Sequence, residues 1–377
     1  MAYTPPTAYA GLTGQVTYGS GLQLVDVVLS NVAKQFRPEG FVYDRLVAPM
    51  TVEKKFGRYP VFDPTTFFST GGALEVADDA PTPIIDFNWS HDIFACQPRR
   101  LATRITREEA LQAHAALRLD YSKTIGLLTV FANNRENRLA TRLKATANGG
   151  QFTNAAITPS NLWDAGTTSV TIQSDIQTGL LQVMKACGKR PNTIVMDYEV
   201  ALAIANDPTV KTQLQYRIGP DMFTNGLLTD NSGPVGPVGG GGGVLPAKLF
   251  GLNVVIADGV LQNQNRPGEA LNLTGTWGTS VRLIYVDPQA QWGIPSTVYS
   301  FRAPVVEGQH QPPNVIMPNG NAGVEPNPAG GWAVVDRWWD YDPPAETIRA
   351  WESVDERVVA PELGFELHNV LGSSNAY

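Results

Sequence analysis

The sequence predicts an α+β fold, and three stretches carry that expectation. "IIDFNWSHDIFACQ", Ile84 to Gln97, alternates apolar and polar residues with period two, the pattern of a half-buried strand. From Thr106 a helical apolar spacing runs unbroken by proline for about 40 residues, or about 60 Å of helix. After "ANGGQFTNAA" short helical and strand-like runs alternate, the texture of an α/β unit.

Composition bounds the function. The chain has 377 residues, of which 43% are hydrophobic, enough for a packed core. Only 17% are charged, which points to a surface that meets other protein. A net charge of -7 argues against gripping nucleic acid through phosphates. Cys96 and Cys187 stand far apart and form no Cys-x-x-Cys pair, so zinc, redox and disulfide frameworks are not expected. "MAYTPPTAYA" lacks the basic and apolar regions of a signal peptide. No apolar run reaches the roughly 18 residues of a membrane span. Cytoplasmic synthesis is the expectation.

Taken in order, residues 1–20 read as an extended arm, rich in Thr, Pro, Gly and Tyr. "LQLVDVVLSNVAKQF", Leu22 to Phe36, has helical spacing. Residues 51–102 form a unit. "KKFGRYPVFD", Lys54 to Asp63, reads as a strand with Phe56 and Phe62 on one face, Lys55 and Tyr59 on the other. In the partner strand Ile85, Phe87, Trp89, Ile93 and Ala95 share a face opposite Asp86, Asn88, Ser90 and Asp92. Strands of this length reach roughly 30 Å. An isolated hairpin is marginal in water, so the apolar face must lie on something, either the chain's own body or a neighbouring subunit.

The long helix opens on a capping box, Thr106 with Glu109. Leu111, His114, Tyr121, Ile125, Leu128, Ala132, Leu139 and Leu143 form its stripe, with Arg118 and Glu136 in the two gaps. Leu127, Val130 and Phe131 make its middle apolar nearly all round, so it meets more than one layer. "SDIQTGLLQVMKACGK" reads as a helix capped by Ser174 or Asp175 and stopped at Gly188. A buried strand follows from Pro191 to Asp197, then a helix broken at Asp207-Pro208. "LFGLNVVIAD" and "VRLIYVD" are further strands, and "GPVGPVGGGGGVLP" is a loop. "WAVVDRWWDYD", "ETIRAWESVDERVVA" and "GFELHNVL" close the chain as three strands after a Pro-, Asn- and Gly-rich insertion, residues 309–331.

No chemistry-bearing constellation emerges. His91, His114, His310 and His368 have no metal-ligand spacing, and His91 and His114 fall on apolar faces, where a buried structural role is expected. Gly188-Lys189 lacks the phosphate-loop pattern, and Gly239 to Gly243 neither follow a strand nor open a helix. No Gly-x-Ser-x-Gly elbow occurs. Asp78-Asp79, Asp340 and Asp342 lack a calcium-loop pattern. Asn272 heads a glycan acceptor triplet without a secretion signal. No catalytic, cofactor or metal site is expected. Trp338 and Trp339, with Tyr341, form the densest aromatic cluster. On a strand the two indoles point to opposite faces. One then fills a core and the other an interface, or both lie in one core sandwiched between layers.

The order of parts resembles the major capsid proteins of tailed bacteriophages with the Hong Kong 97-type fold. The resemblance rests on "NVAKQFRPEGFVYDRLVAP", "KKFGRYPVFD", "PNTIVMDYEVALAIANDPTV", "LFGLNVVIADGV", "VRLIYVDPQAQWGIPSTVYSF" and "ESVDERVVAPELGFELHNVL". It implies an arm with a short helix over 1–50, an extended β-hairpin loop over 51–104, a peripheral domain with its spine helix over 105–176, an axial domain over 177–295, and return strands over 296–377. It also implies an icosahedral shell of pentamers and hexamers in the virion, enclosing double-stranded DNA that is not read by sequence. Scaffolding, portal and decoration proteins are implied partners; a membrane is not. The apolar face of the hairpin would then be covered by the adjacent copy. Phe56, Phe62, Ile85, Phe87, Trp89, Ile93, Trp338 and Trp339 are the expected contact residues. Lys54 and Lys55 lie where some relatives cross-link, but nothing in the sequence selects them. An encapsulin-like compartment shell shares the fold, and an α/β enzyme on residues 174–290 would need a polar site the sequence does not offer.

Overall fold

The computed structural model describes residues 24–25, 29, 32, 40–61, 90–112, 118–165, 171–210, 212, 245–246, 248–262, 273–287, 296–303, 334–341 and 344–372. The elements in chain order are β1 (Leu24–Val25), α1 (Tyr43–Leu46), β2 (Ala48–Thr51), β3 (Phe56–Val61), β4 (Ser90–Ala95), β5 (Gln97–Thr106), α2 (Arg107–Gln112) and α3 (Leu119–Arg142). They continue with α4 (Ile172–Cys187), β6 (Thr193–Asp197), α5 (Tyr198–Asn206), β7 (Lys248–Leu249), β8 (Leu252–Ala257), β9 (Val260–Gln262) and β10 (Leu273–Gly275). The last are β11 (Val281–Ile284), β12 (Val298–Arg302), β13 (Val334–Tyr341), β14 (Pro344–Val358) and β15 (Phe365–Leu367).

Two sheets organise the body. The larger is built on β14, whose 15 residues make it the longest strand among the described residues. β5 pairs along one edge of β14, while β13 and β12 pair along the other, followed outward by β1 and β2. The smaller sheet has the order β15-β11-β6-β8-β7, with β6 and β8 parallel. Their connection runs through α5, as a parallel pair requires. β15, expected among the return strands, instead pairs with β11 in this smaller sheet. Phe365 and Leu367 are fully buried there beside α4.

The spine is shorter than its pattern. α3 spans 24 residues, about 36 Å, because Arg118 has ψ 86 and breaks the helix ahead of Leu119. The reason is geometric. α3 must lay Leu127, Leu128 and Phe131 across Ile105, Ile348 and Ala350 of β5 and β14. A chain leaving β5 at Thr106 has to turn before it can run back over the sheet. The expected cap survives on α2, where the Glu109 amide donates to Thr106 Oγ1 at 3.2 Å. Of the expected stripe, Leu128, Ala132, Leu139 and Leu143 are buried, whereas Leu111 and Tyr121 are exposed. Val130 is exposed too, while Leu127 and Phe131 are buried. His114 lies outside the described residues.

Two further expectations shift. Leu24–Val25 is a strand paired to β13, and within the predicted Leu22–Phe36 helix only Leu29 and Val32 are helical among the described residues. An open sheet edge supplies hydrogen bonds that override a short helical period. In α4 the N-cap position falls on Thr171, and Asp175 accepts the Trp163 indole N–H at 3.1 Å. Gly188 ends that helix in the left-handed region, with φ 68.

Candidate functional site

The hairpin of β3 and β4 has two unlike faces. Phe56 pairs with Ala95, Arg58 with Ile93 and Pro60 with His91, so these six residues share one face. On that face Phe56 is 71% exposed and Ile93 55% exposed. Gly57, Tyr59, Asp92 and Phe94 share the other. Tyr59 and Phe94 are buried against Phe301 of β12, with ring centroids 5.1 and 4.6 Å away. The hairpin is therefore seated on its own body by one face and offers large apolar side chains on the opposite one.

The seating depends on a glycine and a carboxylate. A Cβ on Gly57 would meet the Phe94 ring at 2.5 Å, so the ring lies directly over the backbone. Asp355 of β14 accepts the Ala95 amide at 2.9 Å and Arg357 Nε at 2.8 Å. Arg142 of α3 approaches its other oxygen at 3.6 Å. One side chain thus ties together the hairpin, the long strand and the spine. Cys96, at the step from β4 to β5, donates its amide to Lys55 O at 2.8 Å. Burial pushes its thiol up to about 12, which makes it an unreactive packing group.

Beneath the spine the sheet surface is charged. Arg135 Nε donates to Glu352 at 2.8 Å, and Arg138 Nη2 reaches Glu356 at 2.6 Å and Glu352 at 3.2 Å. Tyr43 Oη donates to Glu356 at 3.3 Å, and Arg99 stands 3.8 Å from it. Burial alone would raise the Glu356 carboxyl, but Arg138, Arg99 and Arg135 hold it down at about 2. The periodicities explain the meeting. Arg135, Arg138 and Arg142 lie three and four apart on one helix face, while Glu352 and Glu356 are four apart on one strand face.

Beside that charged layer, on another side of the same stretch of the spine, Glu136 is fully buried. It accepts the Trp277 indole N–H at 2.6 Å, the Tyr43 amide at 3.0 Å and the Val42 amide at 3.4 Å. Burial pushes its carboxyl up to about 7 against these hydrogen bonds. Arg282 closes the same junction, donating to Leu143 O at 3.1 Å and Trp277 O at 2.8 Å. These groups hold the spine to the smaller sheet. Among the described residues no group of His, Cys, Asp and Glu could hold a metal ion. No described helix is long and apolar enough to cross a membrane.

No family model and no curated relative matches the sequence. Solved structures do match. A phage-related protein from Bordetella bronchiseptica RB50 superposes over 94% of this chain and 100% of its own, at TM-score 0.61 and 16% identity. The fold is the Hong Kong 97 type. A structure from Mycobacterium phage Che8 aligns at TM-score 0.46 and 13% identity, covering 89% of this chain and 94% of its own. The capsid of cyanophage P-SCSP1u aligns at TM-score 0.45 and 12% identity, covering 94% and 92%.

Within this Hong Kong 97-type fold, the expected contact residues separate. Phe56 and Ile93 share the outward face of the hairpin. Phe62, Ile85, Phe87 and Trp89 lie outside the described residues. Trp338 and Trp339 point to opposite sides of β13, and neither fills a core. Trp338 donates to Asp340 at 3.0 Å under the Arg349 guanidinium, and Trp339 is 43% exposed on the spine side. His91, expected to be buried, is exposed on the outward hairpin face. The sequence reading placed no role on Asp355, Glu356 or the arginines of the spine. Arginines at helical spacing beside the apolar stripe, at 135, 138 and 142, with Glu352 and Glu356 an even four apart in "ESVDERV", were the available signal.

Proposed function

We propose that this chain is the major capsid protein of a tailed bacteriophage. Copies of it assemble as pentamers and hexamers into an icosahedral shell that encloses double-stranded DNA. Its role is structural rather than enzymatic, and its place is the virion. The observation that carries the reading is the hairpin, which is anchored to its own body on one face and presents Phe56 and Ile93 to solvent on the other. Burying such a side chain contributes about 1.5–3 kcal/mol, and a second copy is the partner that a shell supplies at every position. The Hong Kong 97-type fold, shared over nearly the whole chain with a phage-related protein, supports the same reading. Scaffolding, portal and decoration proteins are further partners on this reading, and the DNA is enclosed without base contacts, in keeping with the net charge of -7.

The test is assembly. Purified protein is followed by light scattering and electron microscopy, beside a Phe56→Asp, Ile93→Asp double variant. Closed shells are expected from the natural chain. The double variant is expected to stay as unassembled subunits with an unchanged unfolding temperature. A natural chain that remains a monomer at assembly concentrations, or a double variant that forms shells equally well, would refute the proposal. Shells from an expressing cell that hold a protein cargo would instead mark a compartment of the encapsulin kind.

A further inference from the structure

The charged layer beneath the spine carries more positive than negative groups. On that side of the larger sheet stand the guanidiniums of Arg99, Arg135, Arg138 and Arg302 and, in ion-pair reach of them among the described residues, the carboxylates of Glu352, Glu356 and Asp44. Both glutamates are shared, Glu352 by Arg135 and Arg138, Glu356 by Arg138 and Arg99. Glu136, on another side of the spine, turns its oxygens to the Trp277 indole and the Val42 and Tyr43 amides. Arg302 is left with Asp44, which is 3.7 Å away and whose side chain is 41% exposed, so water screens that charge.

Strand register puts Arg302 in this layer. Val298, Ser300 and Arg302 alternate onto one face of β12. Ser300 lies opposite Glu356 of β14 and accepts the Tyr43 hydroxyl at 3.1 Å, so that face looks toward α1 and the spine. Arg302, opposite Val354, is 5% exposed. Its Nε is buried and meets no acceptor among the described residues. The neighbouring Arg135 guanidinium lies 4.9 Å over the Tyr43 ring. Burial and the like charge of Arg135 outweigh the pull of Asp44 and Glu352, and the Arg302 pKa is lowered.

Two unfavourable features therefore meet at one nitrogen. A buried N–H without an acceptor is destabilising, and a buried cation without a close counter-charge is more so. An ordered water would accept the hydrogen bond but leave the charge. A small anion satisfies both. The excess is one positive charge, four guanidiniums against three carboxylates, which suits a monovalent ion rather than a phosphate. We propose that one chloride-sized monovalent anion binds at Arg302 Nε, beside the Arg135 guanidinium and the Tyr43 ring, and fastens α1 and the spine to the larger sheet.

Anion-dependent stability tests this on the full chain, kept dilute and unassembled. Urea unfolding is followed in sodium chloride and in sodium gluconate at equal ionic strength, gluconate being too large for the position. Ligand that binds only the folded chain lowers the unfolding constant, and we expect chloride at about 0.2 M to lower it at least about fivefold relative to gluconate. Arg302→Gln is expected to reduce that preference to less than about twofold. A natural chain without the preference, or an Arg302→Gln chain that keeps it, overturns the proposal. Chlorine-35 NMR supplies a measurement that needs no variant. The folded natural chain is expected to broaden the chloride line through a single saturable site that bromide displaces, and unfolding in urea should abolish the broadening. Broadening that does not saturate marks diffuse surface binding, and no broadening assigns an ordered water to Arg302. Either result overturns the proposal.

Discussion

Glu356→Gln isolates the charged layer beneath the spine. The substitution keeps the side-chain shape and removes the negative charge that Arg138 meets at 2.6 Å and Arg99 at 3.8 Å. The natural carboxyl sits at about 2 in the folded chain against an ordinary 4.5. That difference is worth about 3 kcal/mol at neutral pH, similar to the roughly 3–5 kcal/mol lost when one partner of a buried pair is removed. The sign follows from the depressed value. The contribution is fully present above 4.5 and is lost as pH falls toward 2. By linkage the gap between natural chain and variant narrows to about 1.4 kcal/mol at pH 3. Urea unfolding of unassembled subunits, followed by tryptophan fluorescence at both pH values, measures it. Equal stability at pH 7, or a gap that does not shrink on acidification, would refute the reasoning.

Two other perturbations address the seat of the hairpin and the buried junction. Gly57→Ala drives a methyl into Phe94, and we expect a loss of about 1–3 kcal/mol. Amide exchange at Ala95 and Cys96 should quicken with it, and Phe94→Leu in the same chain should recover part of the loss; additive costs would contradict the contact. Glu136, raised to about 7, binds a proton in the folded chain that the unfolded chain releases near 4.5. Stability therefore falls as pH rises through that window, so acidification from pH 7 to pH 5 should add about 2 kcal/mol. Glu136→Gln should remove that increment, read as a flatter unfolding temperature against pH, and a variant with the natural slope would show that Glu136 does not titrate there.

How much was legible can be judged residue by residue. The alternation in "SHDIFA", the cap at Thr106 and the stop at Gly188 all report local backbone preferences, and each is found where the pattern puts it. The outward face of Phe56 and Ile93 was readable for the same reason, since period two sorts faces without reference to any neighbour. Phe94 was not placed by its pattern. It occupies the polar side of the alternation, yet it is the ring that anchors the hairpin, because Phe301 stands some 200 residues away in sequence.

The amino-acid order by itself determined most of the kinds of element and their succession, because these depend on neighbours a few residues apart. Only the tertiary structure decided where the spine breaks, that β15 joins the smaller sheet, and that Glu136, Asp355 and Glu356 become junctions. Those outcomes depend on burial and on charges brought together from distant segments, and a carboxylate's environment is set by what folds over it rather than by what precedes it.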